Sequence, residues 1–457
     1  MTRDRCPGAA ARPSGLLMVL LAALLLCRLP CAACAAVYEV WSPGDVPWSQ
    51  LAPGDRVVLH GTLAGPIVIR GRGSPDRPIV VSAAPGSVVK GAVVIEDARH
   101  IVVDGLTVRD SPQAAFILRD GAEAITIRNS QASASAIGIW IGAGAGGDHR
   151  ILDNVVHDNQ GDGIAIDVIN ASPGQETVIA GNQVFRNGIH GVEINGNHYI
   201  VEHNIVHDNG FATSGASGIH TYAKDATEDA GKHNIIRYNI SYGNIDRSAQ
   251  DGNGIQLDQW CDDNQVYFNL AFDNDGAGIV LFDAANNVIE NNTLYGNMRD
   301  PGRSHAYKAD LVVASNYTKN VDHAFGNVLR NNLVQALQAG HYAIYVDSFS
   351  SRHMKAIGGN DFVHADEGSP LFFWAGQRGR DMAYWNTLKP GAPDVSIVPR
   401  FLDPGRPFDP VTRRSGLELQ AGSPLAAAGV AGSSPAVTDL AGARLNQLPV
   451  GAFGPGR

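Results

Sequence analysis

The sequence predicts an all-β fold, a parallel β-helix in which short strands stack coil upon coil. Three observations predict it. A phrase built around asparagine recurs along the middle of the chain, as in VEHNIVHDN and VYFNLAFDN. A second phrase, a glycine followed by alternating apolar residues, follows most copies, as in GVEIN and GIVLF. The shortest spacing between copies is 22 to 23 residues, which is too short for a strand, a helix and a return strand.

The two phrases predict strands and corners. The leading asparagines are Asn154, Asn182, Asn204, Asn239, Asn269 and Asn292, and the second phrases begin at Gly138, Gly163, Gly191, Gly218, Gly254 and Gly278. Each phrase alternates with period two and contains β-branched residues, which predicts a short strand. Asn and Gly between the strands are typical of tight corners. We expect the asparagine amides to stack along the axis and to bond the corner backbone.

The pattern divides the chain into four parts. They are a signal peptide at 1–36, an N-terminal cap with the first strands at 37–91, the β-helix at 92–347, and a C-terminal cap or tail at 348–457. The first part has a basic start, an apolar run of 11 residues and small residues for cleavage. Short helices are expected near 47–51 and 380–388. Caps are expected because an open solenoid end would expose apolar side chains and strand edges.

Composition and charge restrict the compartment and the partners. Four of the five cysteines lie in the predicted leader, so Cys261 has no partner for an intrachain disulfide. The leader carries four arginines and one aspartate, so removing its +3 takes the net charge from −10 to −13. This charge argues against nucleic acid as a partner. The apolar run is too short to span a membrane. We therefore expect an exported, monomeric protein of the periplasm or the extracellular space.

With these repeats the chain resembles the secreted right-handed parallel β-helix proteins of the pectate-lyase-like superfamily. NIVHDN, GIVLF and NNVIENNTLYGN are typical of their repeats. The resemblance implies a right-handed coil and a polysaccharide substrate. It does not give the reaction, because the superfamily holds pectate and alginate lyases, chondroitinase B, uronan C5-epimerases, glycosidases and non-catalytic relatives. The Asp-Pro-His of the epimerases is absent, and the Gly-His-Gly of polygalacturonases has no copy.

The candidate site lies where the loops lengthen. The spacing from the leading Asn to the next Gly is nine residues in plain coils but 14 at Asn204 and 15 at Asn239. In each Gly-led strand the third and fifth residues point outward. The first outward column is Trp140, Ala165, Glu193, His220, Gln256 and Val280, and the second is Gly142, Asp167, Asn195, Tyr222, Asp258 and Phe282. Both columns are polar only in the middle, beside the long loops, which favours a binding face there.

These residue types suit work on uronic sugars. β-Elimination needs a base for the C5 proton and a positive charge to neutralise the C6 carboxylate. Lys224 or His220 is the candidate base, and Arg247 is the candidate for the substrate carboxylate. The full prediction has Lys224, His220, Arg247 and Tyr222 as catalytic residues, Asn195, Gln256 and Trp260 as substrate-binding residues, and Asp167, Glu193, Asp225 and Asp258 as Ca²⁺ ligands.

Plainer interpretations and other functions stand beside this one. Outward strand positions are polar in many sheets, and the charged loop after Tyr222 can be a solvated loop. The leading hypothesis is a polysaccharide lyase or a related uronan-modifying enzyme. One alternative is a glycoside hydrolase in which two of Asp167, Glu193 and Asp258 form a carboxylate pair. Another is a non-catalytic β-helix that binds glycan or delivers copper in the periplasm.

Overall fold

The computed structural model describes residues 35–212, 215–247, 251–300, 307–315, 322–406 and 408–454, without the side chain of Ser49. The predicted leader, except its last two residues, lies outside these ranges. Within them the chain winds through three long sheets, called A, B and C, of 13, 12 and 13 strands. Each coil adds one strand to A, then B, then C, and neighbouring coils pair in parallel. The predicted all-β parallel β-helix is confirmed.

Sheet A consists of β1 (Val37–Val40), β2 (Arg56–Leu59), β5 (Ile79–Ala83), β8 (Ile101–Asp104), β11 (Thr126–Arg128), β14 (Arg150–Leu152), β17 (Thr177–Ala180), β20 (Tyr199–Glu202), β23 (Ile235–Arg237), β26 (Gln265–Tyr267), β29 (Val288–Glu290), β32 (Val328–Arg330) and β35 (Ala356–Gly358). Sheet B consists of β3 (Thr62–Ala64), β6 (Val88–Lys90), β9 (Thr107–Arg109), β12 (Gln131–Ser133), β15 (Val155–His157), β18 (Gln183–Phe185), β21 (Ile205–His207), β24 (Ile240–Tyr242), β27 (Leu270–Phe272), β30 (Thr293–Tyr295), β33 (Leu333–Ala336) and β36 (Asp361–His364).

Sheet C consists of β4 (Ile67–Arg72), β7 (Val93–Arg99), β10 (Ala114–Leu118), β13 (Ile137–Ile141), β16 (Ile164–Ile166), β19 (Val192–Ile194), β22 (Ser217–Thr221), β25 (Asn253–Leu257), β28 (Ile279–Phe282), β31 (Ala309–Ala314), β34 (Tyr342–Val346), β37 (Phe372–Trp374) and β38 (Gln377–Gly379). Its last pair, β37 and β38, is antiparallel. Sheet C carries the Gly-led phrases and therefore the predicted site.

The core is a column of aliphatic side chains that face the axis. The second residues of the Gly-led strands are aligned by the strand register and are fully buried, as predicted: Ile164, Val192, Ile219, Ile255 and Ile279. Because each coil contacts mainly its neighbours, this core grows with the number of coils. The register also fixes which side chains face outward, since a slip by one residue would reverse both faces.

Asparagine columns join the coils at the corners. Asn204 donates from its backbone N and its Nδ2 to Asn239 Oδ1, each at 3.0 Å, and from Nδ2 to Ile179 O at 2.8 Å. Its own Oδ1 accepts from Asn182. The column between sheets A and B contains Asn154, Asn182, Asn204, Asn239, Asn269, Asn292, Asn332 and Asn360. The amides thus satisfy buried corner backbone, as the repeated phrase predicts.

Helices occur near both ends of the solenoid. They are 3-10 turns at Pro43–Asp45, Trp48–Gln50 and Pro424–Ala427, and α-helices at Ser350–His353 (α1) and Met382–Leu388 (α2). Asp381 caps α2 by accepting from two backbone N–H groups of its first turn. Trp385 of α2 is fully buried against the rings of Phe362 and Phe372, which covers apolar side chains of the last coils. No helix in the described ranges is long and apolar enough to cross a bilayer.

The C-terminal segment runs along the outside of sheets A and B. Its apolar residues, including Phe401 and Phe453, form a second buried cluster with Tyr238 and Phe268. Glu290, whose side chain is fully buried, holds the segment by accepting from the backbone N–H groups of Ser433 and Ser434. The segment therefore leaves the outward face of sheet C uncovered.

Candidate functional site

The structure brings Glu193, His220 and Asp258 together on the outward face of sheet C. Parallel pairing sets Glu193 beside His220, and His220 beside Gln256, on three successive coils. His220 Nδ1 lies 3.8 Å from Glu193 Oε1, and His220 Nε2 lies 3.5 Å from Asp258 Oδ2. The imidazole is only 8% exposed, whereas the two carboxyl groups remain 21% and 16% exposed. One buried ring thus separates two carboxylates that solvent can reach.

The ionisation of His220 and of Glu193 depends on the contact between their side chains. Burial alone would lower the pKa of His220, but its interactions with Asp258 and Glu193 outweigh burial and raise the pKa to about 10. Burial alone would raise the pKa of Glu193, but interaction with His220 lowers it to about 2. At neutral pH the cluster therefore holds an imidazolium beside an ionised Glu193.

His190 and Asp162 extend the cluster and were not predicted. The rings of His190 and His220 stack at 4.2 Å, with an angle of 1° between their planes. His190 Nδ1 accepts from Ser217 N at 3.1 Å, and His190 N donates to Asp162 Oδ1 at 2.9 Å. Burial lowers the pKa of His190 to about 3, so the ring is neutral, and burial raises the pKa of Asp162 to about 7.

The sequence contains a signal for these two residues. The residues immediately before the glycines of successive Gly-led phrases are Asp162, His190, Ser217, Asn253 and Ala277. This third column is again polar only beside the long loops. A strand that is counted from its glycine does not include this column, so the prediction missed it. The structure pairs Ser217 with Asn253 in register, which shows that this position belongs to the strand.

Gln256 is held in a fixed orientation beside the cluster. Its Oε1 accepts from Ser217 Oγ and Asn253 Nδ2, each at 2.7 Å. Its Nε2 lies 3.5 Å from Asp258 Oδ2. Gln256 therefore helps to position Asp258, in addition to the predicted role in substrate binding.

The histidines do not fit a transition-metal site, although the ligand atoms of His190, Glu193 and His220 lie within 4.8 Å of one another. Because His190 Nδ1 accepts a backbone N–H, the proton of this neutral ring is on Nε2. Neither nitrogen then offers a free lone pair. His220 is protonated as well, so a soft divalent metal would have to displace protons from both rings.

Oxygen donors also lie beside Glu193 on the outward face of sheet C. Asn195 Oδ1 is buried and has no hydrogen-bond partner among the described residues. Asn195 follows β19, and its backbone N donates to Ile166 O. Because Ile166 pairs with Ile194, the next residues, Asp167 and Asn195, are neighbours on adjacent coils. Two carboxylates and an amide oxygen are ligands that Ca²⁺ prefers. The carboxylate of Asp225 accepts from the Thr227 backbone N and hydroxyl within its own loop.

The remaining predicted residues are Tyr222, Lys224, Arg247 and Trp260. The ring of Tyr222 lies 6.3 Å from that of His220 and nearly parallel to it. Lys224 and Arg247 are exposed, and neither side chain makes a hydrogen bond or an ion pair within the described ranges. Trp260 packs against His323, beyond the far end of β25. The structure thus places the ring of Tyr222 near that of His220, whereas the side chains of Lys224 and Arg247 are exposed.

Comparison with known proteins agrees with the fold. Residues 91–270 match the family model described as right handed beta helix region, which confirms the predicted resemblance to right-handed β-helix proteins. No curated protein sequence matches the chain. Similar solved structures include the mannuronan C-5 epimerase AlgE4 A-module of Azotobacter vinelandii (14% identity, 75% of this chain and 91% of that chain, TM-score 0.47). Others are pectate lyase Pel9A (14%, 92% and 97%, 0.47) and the PL6 family alginate lyase AlyGC (15%, 73% and 48%, 0.41).

Proposed function

We propose that the chain is an exported enzyme that cleaves an acidic, uronic-acid-containing polysaccharide by β-elimination. The observation that supports a site is the Glu193–His220–Asp258 cluster, in which two carboxyl groups flank a buried imidazole. The fold does not require charges there, because the same outward column holds Ala165 and Val280 in neighbouring coils. Burying charged groups costs stability unless they are well paired, and such groups concentrate at functional sites.

The reaction needs three coordinated changes in the sugar. The C5–H bond breaks and its proton passes to a base, the electron pair forms the C4–C5 double bond, and the C4–O bond breaks as the leaving oxygen takes a proton. Tyr222 is the proposed acid that protonates the leaving oxygen. Burial and the nearby charge of Asp258 raise the pKa of its phenol and keep the proton on it. Lys224, two residues further on, is the proposed base.

His220 has a different role from the one that the sequence suggested. With a raised pKa it is protonated at neutral pH and cannot take the C5 proton. Its charge instead keeps Glu193 ionised and fixes the carboxylate on the outward face, where the sugar would lie. Arg247 is proposed to bind a substrate carboxylate from the loop before β25.

A calcium ion fits the oxygen donors of Asp167, Glu193 and Asn195. Such a cation would neutralise the C6 carboxylate of the substrate and make the C5 proton more acidic. The acidic balance of the chain, −10 overall, is a further reason to expect that a polyanion is bound through a local positive group.

A glycoside hydrolase is the second candidate, because two carboxylates flank the imidazole of His220. Glu193 and Asp258 contact opposite nitrogens of one imidazole, so their nearest oxygens lie at most about 10 Å apart, which overlaps the spacing of an acid–base pair that activates water. The two reactions give different products. A lyase forms an unsaturated sugar that absorbs ultraviolet light, whereas a hydrolase forms reducing ends without that absorbance.

The test is incubation of the secreted protein with polygalacturonate, alginate, glucuronan and neutral xylan, with and without chelator. We expect ultraviolet-absorbing products from an acidic polymer only. Tyr222→Phe and Lys224→Ala should each lose about 10²- to 10⁴-fold in kcat, the usual contribution of general acid–base catalysis. His207→Ala is the matched control, because His207 is a partly exposed histidine on sheet B. Full activity in both site variants would contradict the proposal, and export is tested by finding the protein outside the cytoplasm.

A further inference from the structure

Three aromatic rings lie together just beyond the proposed site. Trp260 follows β25, two residues after Asp258, so the two Cα atoms are at most about 7 Å apart. The centroid of the Trp260 ring lies 4.2 Å from that of His323, and the His323 and Phe325 centroids are 4.9 Å apart. Phe325 is 37% exposed, which is unusual for a large apolar side chain in this protein. We call Trp260, His323 and Phe325 the aromatic patch.

The patch is held in place by a carboxylate. Both oxygens of Asp262 lie within 3.1 Å of His323 Nε2. Asp262 Oδ1 also accepts from Ala285 N at 2.8 Å, and the backbone N of His323 donates to Asp283 Oδ1. The imidazole is therefore fixed at its position, with its ring against Trp260.

The backbone conformation of Trp260 is unfavourable for a bulky side chain. Its φ is 65°, in the left-handed region, and its backbone N donates to the carbonyl of Asp283 on the next coil. Asp283 has a similar φ of 51°, but aspartate tolerates this region much better than a bulky residue does. The same corner conformation holds the rings of Tyr238 and Phe268, at φ 56° and 54°, so the corner fixes where the Trp260 ring lies.

We infer that the aromatic patch is a sugar-binding subsite, which takes a pyranose ring next to the one that is cleaved. This inference rests on the proposed function. Sugar rings carry apolar C–H faces that pack on aromatic rings, and their hydroxyl groups need hydrogen-bond partners such as the edge of His323 and the oxygens of Asp262. Arg247 precedes β25 and Trp260 follows it, so the polysaccharide would run along this strand, from one corner of the coil to the next.

The test compares Trp260→Ala with Trp41→Ala in the full-length protein. Trp41 is a matched control, because it is 65% exposed and stacks on His60 at 4.6 Å near the first strands. Affinity electrophoresis through gels with polygalacturonate, alginate or glucuronan measures binding, and KM and kcat are measured on any polymer that is cleaved. We expect Trp260→Ala to weaken binding and raise KM roughly three- to tenfold, the worth of one aromatic contact, with kcat nearly unchanged. Trp41→Ala should change neither.

The outcomes separate the subsite from the reaction. If a polymer is cleaved and Trp260→Ala binds it as tightly as the wild type, the subsite is wrong and the lyase proposal stands. If a polymer is bound but not cleaved, and Trp260→Ala weakens that binding, the reaction is wrong and the subsite stands. A wild-type protein that neither binds nor cleaves any of the polymers overturns both. Asp262→Asn, which loosens His323 without removing a ring, should weaken binding less than Trp260→Ala does.

Discussion

Replacing His220 by glutamine should remove a pH-dependent part of the stability. In the folded protein the pKa of His220 is raised to about 10 by Asp258 and Glu193, against an unfolded value of about 6.5. The difference corresponds to about 5 kcal/mol at low pH, since one pKa unit is worth about 1.4 kcal/mol. Because both carboxyl groups stay partly exposed, we expect about 3 to 5 kcal/mol. Glutamine keeps the polar shape but cannot carry the charge.

The sign of the effect follows from the direction of the shift. A group whose pKa is higher in the folded than in the unfolded protein stabilises the fold fully at pH values below its unfolded pKa. This stabilisation is lost as the pH rises through the folded pKa. Urea unfolding at about pH 6, 8 and 10 should therefore show a difference between wild type and His220→Gln that is largest near pH 6 and mostly gone above pH 10. His207→Gln, on sheet B, serves as the control. A constant difference across this range would show that His220 is not held as an imidazolium.

Three further predictions concern the frame of the site. Asn204→Ala removes four side-chain hydrogen bonds and takes the acceptor from the buried backbone N–H of Asn182, so the free energy of unfolding should fall by about 3–5 kcal/mol in urea titration; a variant within about 1 kcal/mol of the wild type would argue against the ladder. Ile255→Asp places an unpaired charge in a fully buried position and should cost several kcal/mol, whereas melting with the wild type would mean that the strand register is wrong by one. Glu290→Ala should release the C-terminal segment, which limited proteolysis would detect as new cleavage near Ser433 while circular dichroism keeps the β signal.

The regular part of the fold could be predicted because its signals are local and repeated. The Gly-led phrases give the register of sheet C, and the register places Glu193 beside His220 without any knowledge of the coordinates. The asparagine column follows from the same spacing. Position along a strand and the coil number are enough to define these contacts.

The irregular part could not be predicted, since it depends on loop conformation and on contacts distant in sequence. Asp225 is predicted to bind a metal, and no repeat in the sequence indicates that its carboxylate accepts from the backbone N and hydroxyl of Thr227. His323 reaches Asp262 from 61 residues away, with no repeat to indicate it. His190 is an intermediate case, because its column is visible in the sequence once the residue before each glycine is included.

The asparagine column also gives the molecule a direction. Each side chain accepts from the coil before it and donates to the coil after it, so every interior coil presents the same acceptor to one neighbour and the same donor to the other. Whole coils can therefore be gained or lost by duplication or deletion, which lengthens or shortens the outward face by about 4.8 Å at a time. The C-terminal end of the asparagine column is different. One oxygen of Asp394 accepts from Asn360, and the other accepts from Trp385 and contacts the amine of Lys389. The asparagine column therefore ends on a carboxylate that needs no hydrogen-bond partner from a further coil. Duplication or deletion can thus change the length of the outward face in the middle of the chain, while Asp394 still ends the asparagine column.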